Sequence, residues 1–470
     1  MCFGLIAGRS TTRSGAVLAG ANDDWPGCPG HTHFQAHAFH TAEDHFLTVK
    51  GKEIPQAAET YAYTFTACAY ETGTRPVSWA DGMNEHQVSV GMMGVYEFRN
   101  CQTEKDLLEA DDITMLILER GRTARQAIEY VGELIREYGF TVSSIDGAEG
   151  PVCMAVADPT EGFFLELVPG GLWAAKRVAD DEVECRPNCF GIQEIDFSDN
   201  ENFLYSANLR DYALRNDLWH EGEPFNFTNI YGIGPRVNET YGGADRPVNY
   251  MRRWDCLHTL CGADTDLLAP VYAAKPNRKL SAADIMHALT DTMENTPYDL
   301  ALAAEAGVHH NPLWMTTSTS VGQGGTVVSM VYDLRRGDSA AGGCMWVACA
   351  AAKLSVYVPV FTAGKGLPKE YTWGECGEYD LGSAWWAFQE VEELCFRNYE
   401  EIACKHVIPA FRTMQQEFLA ERERLLDESA SAEELCAFSH TSARSAYTKA
   451  LELGKYIKGK FLCNTILEWL

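Results

Sequence analysis

An α+β layered body followed by a helical C-terminal appendage is the architecture the sequence predicts, on three observations. The chain opens with two short apolar runs, Phe3-Gly4-Leu5-Ile6-Ala7 and Ala16-Val17-Leu18-Ala19-Gly20. They are joined by the polar stretch Ser10-Thr11-Thr12-Arg13-Ser14-Gly15, which together reads as a β-hairpin. Further strand-like runs surround a pair of helical segments without a regular βα alternation, as layered strands and helices do. After Pro368 the sequence becomes charged, with apolar residues at helical spacing. The predicted division is a body over residues 2–367 and a helical extension over 368–470.

The 470 residues, 46% of them hydrophobic, suffice for a large core. A formal net charge of −28 argues against nucleic acid as a partner, because phosphates must be neutralised by Lys and Arg. The most apolar region, Cys344 to Phe361, is interrupted by Lys353 and Ser355 and reads as buried strands, not a membrane span. The first residues lack a basic stretch followed by a long apolar run, so no secretory signal is read and a soluble, cytoplasmic protein is expected. None of the 16 cysteines forms a Cys-x-x-Cys pair, which leaves reduced thiols as the simplest expectation.

The hairpin brings the end of its second strand back to the start of its first, so Cys2 is expected to face Asn22-Asp23-Asp24. A Cys directly after the initiator Met becomes the true N-terminus if Met1 is removed. One residue then carries a thiol and an α-amine of pKa about 7.7–8.0, able to take the proton of its own nucleophile. The competing reading of Cys2 is a small buried hydrophobic side chain at the start of a strand. His31, His33 and His37 recur with even spacing, but no carboxylate or thiol partner with ligand spacing accompanies them, and no metal is expected.

Strand-like runs follow at Thr60–Thr66 and Val88–Gly91, joined through Gly82-Met83-Asn84-Glu85-His86-Gln87. Asn84 is either an active-site amide or a turn residue bonding its own backbone. From Asp111 the period becomes helical, with Thr123 and Gln126 as a capping pair and Gly139 as the stop. Strands resume at Val152–Val156, Gly162–Val168 and Leu172–Val178, leading into Arg186-Pro187-Asn188-Cys189. An amide at such a strand end can donate to a developing oxyanion. Helices are read from Asn249 and after Ser281-Ala-Ala-Asp284, and strands at Thr316–Val321, Val327–Tyr332 and Gly343–Cys349. The C-terminal helices either pack on the body or form a homo-oligomer contact.

Taken in order, these motifs resemble the dipeptidase A family of cysteine peptidases. The family lies within the N-terminal-nucleophile (Ntn) hydrolases, as do penicillin V acylase and conjugated bile acid hydrolase. The resemblance rests on Cys2, the Asn22-x-Asp24-Trp25 turn, Asn84-Glu85, Trp173-Ala174-Ala175, Asn188, Arg252-Arg253 and Thr296-Pro-Tyr-Asp299, over roughly Cys2 to Phe361. It implies a four-layer αββα Ntn sandwich and a cysteine peptidase acting on dipeptides through a thioester, with no cofactor. In that reading Cys2 is the nucleophile, Asp24 orients its amine, Asn188 stabilises the oxyanion, and Arg252 matches the active-site Arg. Asn22, Trp25 and Asn84 are the candidates for substrate contact. Three positions depart from the pattern: Gln87 and Asn295 stand where Gly is usual, and Ala21 where Arg is usual. The departure at Ala21 leaves Arg252, Arg9 or nothing as the cation beside the thiol. An N-acyl amino acid amidase, or a catalytically silent secernin-like interaction protein, is the alternative.

Overall fold

The computed structural model describes residues 2–24, 28–68, 78–95, 98–99, 101, 105–141, 143–145, 148–150, 152–232, 248–267, 269, 271–314, 319–337, 342–362 and 364–462. The main strands, in chain order, are β1 (Phe3–Ala7), β2 (Leu18–Asp23), β3 (Gly30–Gln35), β4 (Tyr63–Cys68), β5 (Ser78–Asn84) and β6 (Ser89–Gly94). Then come β7 (Val152–Ala157), β8 (Gly162–Val168), β9 (Leu172–Arg177), β10 (Val183–Arg186) and β11 (Phe203–Tyr205). The last four are β12 (Ala273–Ala274), β13 (Val328–Asp333), β14 (Cys344–Cys349) and β15 (Val358–Phe361).

They form two antiparallel sheets. The first has seven strands in the order β12-β10-β1-β2-β13-β14-β15, the second eight in the order β11-β9-β8-β7-β6-β5-β4-β3. The opening hairpin is present: Phe3 pairs with Asn22 and Ala7 with Leu18. Strand β1 lies inside the sheet between β10 and β2, and all five of its residues are buried, as fits a strand covered on both faces, whose run is continuously apolar instead of alternating. The sheets stack face to face through β1, β2, β6 and β7. Their approach is tight at Gly91, where an added Cβ would lie 2.7 Å from that of Ala21.

Helices α1 (Ala110–Arg120) and α2 (Ala124–Tyr138) cover the outer face of the second sheet. Thr123 caps α2 by accepting from the Gln126 amide, and Gly139 ends it at φ 79°. Two short helices, α3 (Leu209–Arg215) and α4 (Phe227–Tyr231), lie in the connection after β11. Helices α5 (Val248–Cys261) and α6 (Ala282–Thr290) cover the outer face of the first sheet over β10, β2 and β13. Ser281 and Asp284 close a capping box at the start of α6. The result is the four-layer αββα arrangement. The strand expected over Thr316–Val321 is not seen in its described part: residue 319 is irregular and 320–321 are bends. There the Val321 carbonyl accepts from the Asn22 side chain instead of joining a ladder.

Both expected glycine positions are held by residues with positive φ, Gln87 at 61° and Asn295 at 62°, where side chains are disfavoured. Gln87 is anchored through its amide, which donates to the Arg335 carbonyl at 3.0 Å and accepts from the Arg335 amide at 2.8 Å. That double bond ties the β5–β6 turn to the end of β13.

The extension contributes α7 (Ala384–Cys395), α8 (Ile408–Asp427) and α9 (Ala432–Ile457). Helix α7 packs on β14 and α9 on β15, and their apolar residues join one cluster with the strands of the first sheet. A buried ion pair pins α8: Arg422 Nη1 lies 2.9 Å from Asp333 Oδ2, and Nη2 donates to the Gly342 carbonyl at 3.0 Å. Removing one partner of a buried pair leaves the other charge uncompensated. Arg422→Ala is therefore expected to lower the unfolding free energy by about 3–5 kcal/mol, read from the denaturant midpoint.

Candidate active site

Antiparallel pairing gathers several strand ends at one edge of the sandwich: the start of β1, the ends of β2 and β10, the start of β13 and the end of β6. Cys2 sits there, 3% exposed. Its Sγ donates to Asp23 Oδ1 at 3.7 Å, a distance within reach for sulfur. Asp23 is the last residue of β2, opposite Val328.

Helix α5 lies over β10 and places Arg252, fully buried, against this edge. Its Nη1 donates to the Cys2 carbonyl at 2.9 Å, and its Nη2 to Asn188 Oδ1 at 2.7 Å and Asn249 Oδ1 at 2.8 Å. Asn188 follows β10 by two residues, and its Nδ2 donates to the Gly94 carbonyl at the end of β6 at 2.7 Å. One guanidinium thus holds the backbone of Cys2 and fixes which way the Asn188 amide faces. The amide nitrogen carries two hydrogens, so one remains for a second acceptor.

Asp24 is buried beside the same group, and Thr326 Oγ1 donates to its Oδ1 at 2.6 Å. Burial raises the Asp24 carboxyl above its ordinary value, opposed by the positive chain terminus, the Thr326 hydroxyl and Arg252. Burial also pushes the Cys2 thiol up to about 12, against the pull of the chain terminus, and Asp23 and Asp24 push it further the same way. Burial and the two carboxylates thus favour the neutral thiol.

The predicted residues separate into two groups. Cys2, Asp24, Asn188 and Arg252 come together. Asn22 has its Nδ2 committed to the Leu289 and Val321 carbonyls at 2.9 and 3.0 Å and its Oδ1 to Ser329 at 2.6 Å. Those contacts point outward, toward α6, and the expected substrate contact is corrected to a brace between β2 and its covering helix. Asn84 is likewise consumed: Nδ2 donates to the Leu118 and Gly121 carbonyls, and Oδ1 accepts from the His86 and Val88 amides. Its turn is tied through Gln87 to Arg335, just beyond the end of β13, whereas Cys2 lies near the start of that strand. Asn84 is thus a turn residue and does not reach the site. Trp25 lies outside the described residues. Arg9 is taken by Asp180 at 2.6 Å beyond the far end of β1; of the two arginines, Arg252 is the one that reaches Cys2, at its backbone carbonyl.

The histidines have other work. His31 Nε2 bonds to the Gly374 carbonyl at 2.7 Å, His33 stacks on Phe65, and His37 sits between Glu59 and Glu85. Among the described residues no group of three or more His, Cys, Asp or Glu side chains could hold a metal ion.

Two supporting residues were legible only faintly. Glu166, a lone acid in the apolar run Gly-Phe-Phe-Leu-Glu-Leu-Val of β8, accepts from Arg186 Nε at 2.9 Å and from the Gly191 and Ile192 amides at 2.8 and 3.1 Å. Arg186 also reaches Glu184 at 2.7 Å. This buried network clamps the loop that carries Asn188. An added Cβ on Gly191 would lie 2.3 Å from Arg186 Nε, so a side chain there would displace the guanidinium.

A neutral, buried thiol reacts slowly with alkylating reagents. Iodoacetamide labelling of Cys2, followed on the N-terminal peptide by mass spectrometry, is expected to be slow near about pH 7. It should rise by roughly tenfold per pH unit as the thiolate fraction grows, with no plateau before about pH 10.

Comparison with known proteins gives a consistent picture. A model of peptidase family C69 matches residues 1–408. The probable dipeptidase A of Streptococcus pyogenes serotype M18 is 26% identical over 302 residues, covering 62% of this chain and 60% of that protein. A probable dipeptidase of Latilactobacillus sakei is 23% identical over 408 residues, covering 85% of this chain and 81% of that protein. The match thus spans about 60% of the length of the streptococcal relative. Conjugated bile acid hydrolase from Clostridium perfringens superposes with a TM-score of 0.35 at 13% identity, over 77% of this chain and 92% of that one. Among the described residues no helix is long and apolar enough to cross a membrane.

Proposed function

Because this chain belongs to peptidase family C69, we propose that it hydrolyses dipeptides with Cys2 as the N-terminal nucleophile. The observation that carries the reading is Arg252, whose guanidinium joins the Cys2 carbonyl to the Asn188 amide. Nucleophile and oxyanion donor are thereby held in one frame. With Met1 removed, the α-amine of Cys2 accepts the thiol proton and Sγ attacks the scissile carbonyl. The tetrahedral oxyanion receives the remaining Asn188 N–H. Collapse expels the C-terminal amino acid, whose amine takes the proton back, and leaves a thioester that water hydrolyses. Asp24, held by Thr326, supplies the countercharge that orients the amine. The place of action proposed is the cytoplasm.

The amidase alternative shares the nucleophile and differs in substrate, so turnover separates the two. A panel of unblocked dipeptides beside N-acylated amino acids is expected to show cleavage of the dipeptides. Cleavage of only the acylated set would sink the dipeptidase reading, and silence on both sets with an intact thiol would support the interaction protein.

Cys2→Ala should abolish turnover while leaving the fold intact, because the covalent path is gone. Asn188→Ala should reduce kcat by roughly 100- to 1000-fold, the usual loss of one oxyanion donor. Intact mass should show a mature chain starting at Cys2. Full activity in a chain that keeps Met1 would remove the α-amine from the mechanism.

A further inference from the structure

The contact between Cys2 Sγ and Asp23 Oδ1 is unfavourable for a nucleophile considered alone. A carboxylate beside a thiol opposes its ionisation, and the low-dielectric interior strengthens the opposition. Asp23 and Asp24 both act in that direction on Cys2. A third carboxyl, Asp81 of β5, comes from the facing sheet. Both of its oxygens accept from the Met92 amide, at 3.0 and 3.1 Å, and its Oδ2 is 3.8 Å from where a Gly91 Cβ would stand, next to Ala21.

Asp24 Oδ1 is bonded to Thr326 and Asp81 to Met92. The Asp23 carboxylate accepts from the attacking sulfur at 3.7 Å, whereas Asp24 reaches that sulfur through its backbone. Covalent geometry then decides what can stand beside it. In a dipeptide the scissile carbonyl belongs to the N-terminal residue, and its α-nitrogen is two bonds from the attacked carbon, about 2.5 Å away. With the sulfur about 3–3.5 Å from that carbon before attack, the substrate ammonium lies within about 5 Å of Sγ. Asp23 Oδ1 occupies the same shell, at 3.7 Å.

We propose that Asp23 is the specificity-determining residue for a free N-terminal ammonium, binding the substrate's charge and thereby releasing Cys2 for ionisation. This deepens the dipeptidase reading and rests on it. The ammonium forms a charge-assisted hydrogen bond with the Asp23 carboxylate and cancels the negative charge facing the sulfur. A substrate without that ammonium leaves the charge in place, so the thiol stays protonated and the acyl group is not transferred. The device selects unblocked dipeptides over N-acylated ones at the chemical step as well as in binding. It also makes thiol activation depend on the presence of the correct substrate.

The test compares L-alanyl-L-alanine with propionyl-L-alanine, which has the same carbon skeleton but no ammonium, on the mature wild-type protein and on Asp23→Asn. Wild type is expected to prefer the free dipeptide by at least about 100-fold in kcat/KM. Asp23→Asn should shrink that preference by roughly 10- to 100-fold, the worth of one charge-assisted bond. In the substrate-free protein, Asp23→Asn should also speed iodoacetamide labelling of Cys2, since a like charge has gone; a purely structural role for Asp23 would not produce that gain. Should Asp23→Asn fold poorly, the wild-type comparison stands alone: equal turnover of the two substrates overturns the proposal. Cleavage of L-alanyl-L-alanine with an unchanged preference in a folded Asp23→Asn overturns the assignment to Asp23 and leaves the dipeptidase reading standing. Failure of wild type on both substrates sinks the dipeptidase reading and this proposal with it.

Discussion

The Arg252 guanidinium is the point on which the arrangement at the strand edge depends. It is buried and comes from a helix outside the sheet, and it donates to the backbone of Cys2, the side chain of Asn188 and the side chain of Asn249. A planar fork with fixed donor directions suits this better than an ammonium would, because three acceptors from different elements have to be met at once. These acceptors are two amide oxygens and one backbone carbonyl. The field of the guanidinium reaches Asp24, and the helix that carries it is kept in place by packing on β10.

Around that cation the charges are arranged to restrain the thiol. Burial dominates, and two neighbouring carboxylates add to it. A thiol held neutral is protected from adventitious alkylation and oxidation, both of which need thiolate. The ion pair of Glu166 and Arg186 belongs to the same economy of positions. Replaced by apolar residues it would stabilise the fold about as well, but Glu166 also accepts the amides of Gly191 and Ile192, and an apolar side chain cannot hold a loop by its backbone.

Much of the fold was legible because local signals agreed with one another. The opening hairpin, the Thr123 and Ser281 caps and the Gly139 stop each carry a short-range physical reason that tertiary packing did not override. The grouping of candidate residues was legible where a residue's chemistry and its strand-end position coincided, as for Cys2 and Asn188, which Arg252 joins. It was not legible for Asn22 and Asn84, because an amide that braces a turn or a helix looks in sequence like one that binds a substrate. The difference lies in partners from residues up to 299 positions away, which no local pattern encodes. The bends at 320–321 were misread for a similar reason: the Thr and Ser run has strand propensity, but the Val321 carbonyl is used by Asn22. Glu166 stands out only as an acid in an apolar strand, a signal without a partner until Arg186 is placed across the layer.

The outer face of the first sheet is shared between two sets of helices, α5 and α6 over β10, β2 and β13, and α7 and α9 over β14 and β15. The boundary runs along β13, whose start carries the residues next to Asp23 and whose end is pinned to α8 through Asp333. Opening of the C-terminal helices would bare β15 first, then β14, while the strands bearing Cys2 and Asp23 kept their own cover. Partial unfolding from that side is therefore graded, and amide exchange should quicken strand by strand from the β15 edge inward. Strand β2, which ends at Asp23, is separated from β14 by β13, so a molecule frayed at its tail still keeps the surroundings of Cys2 covered.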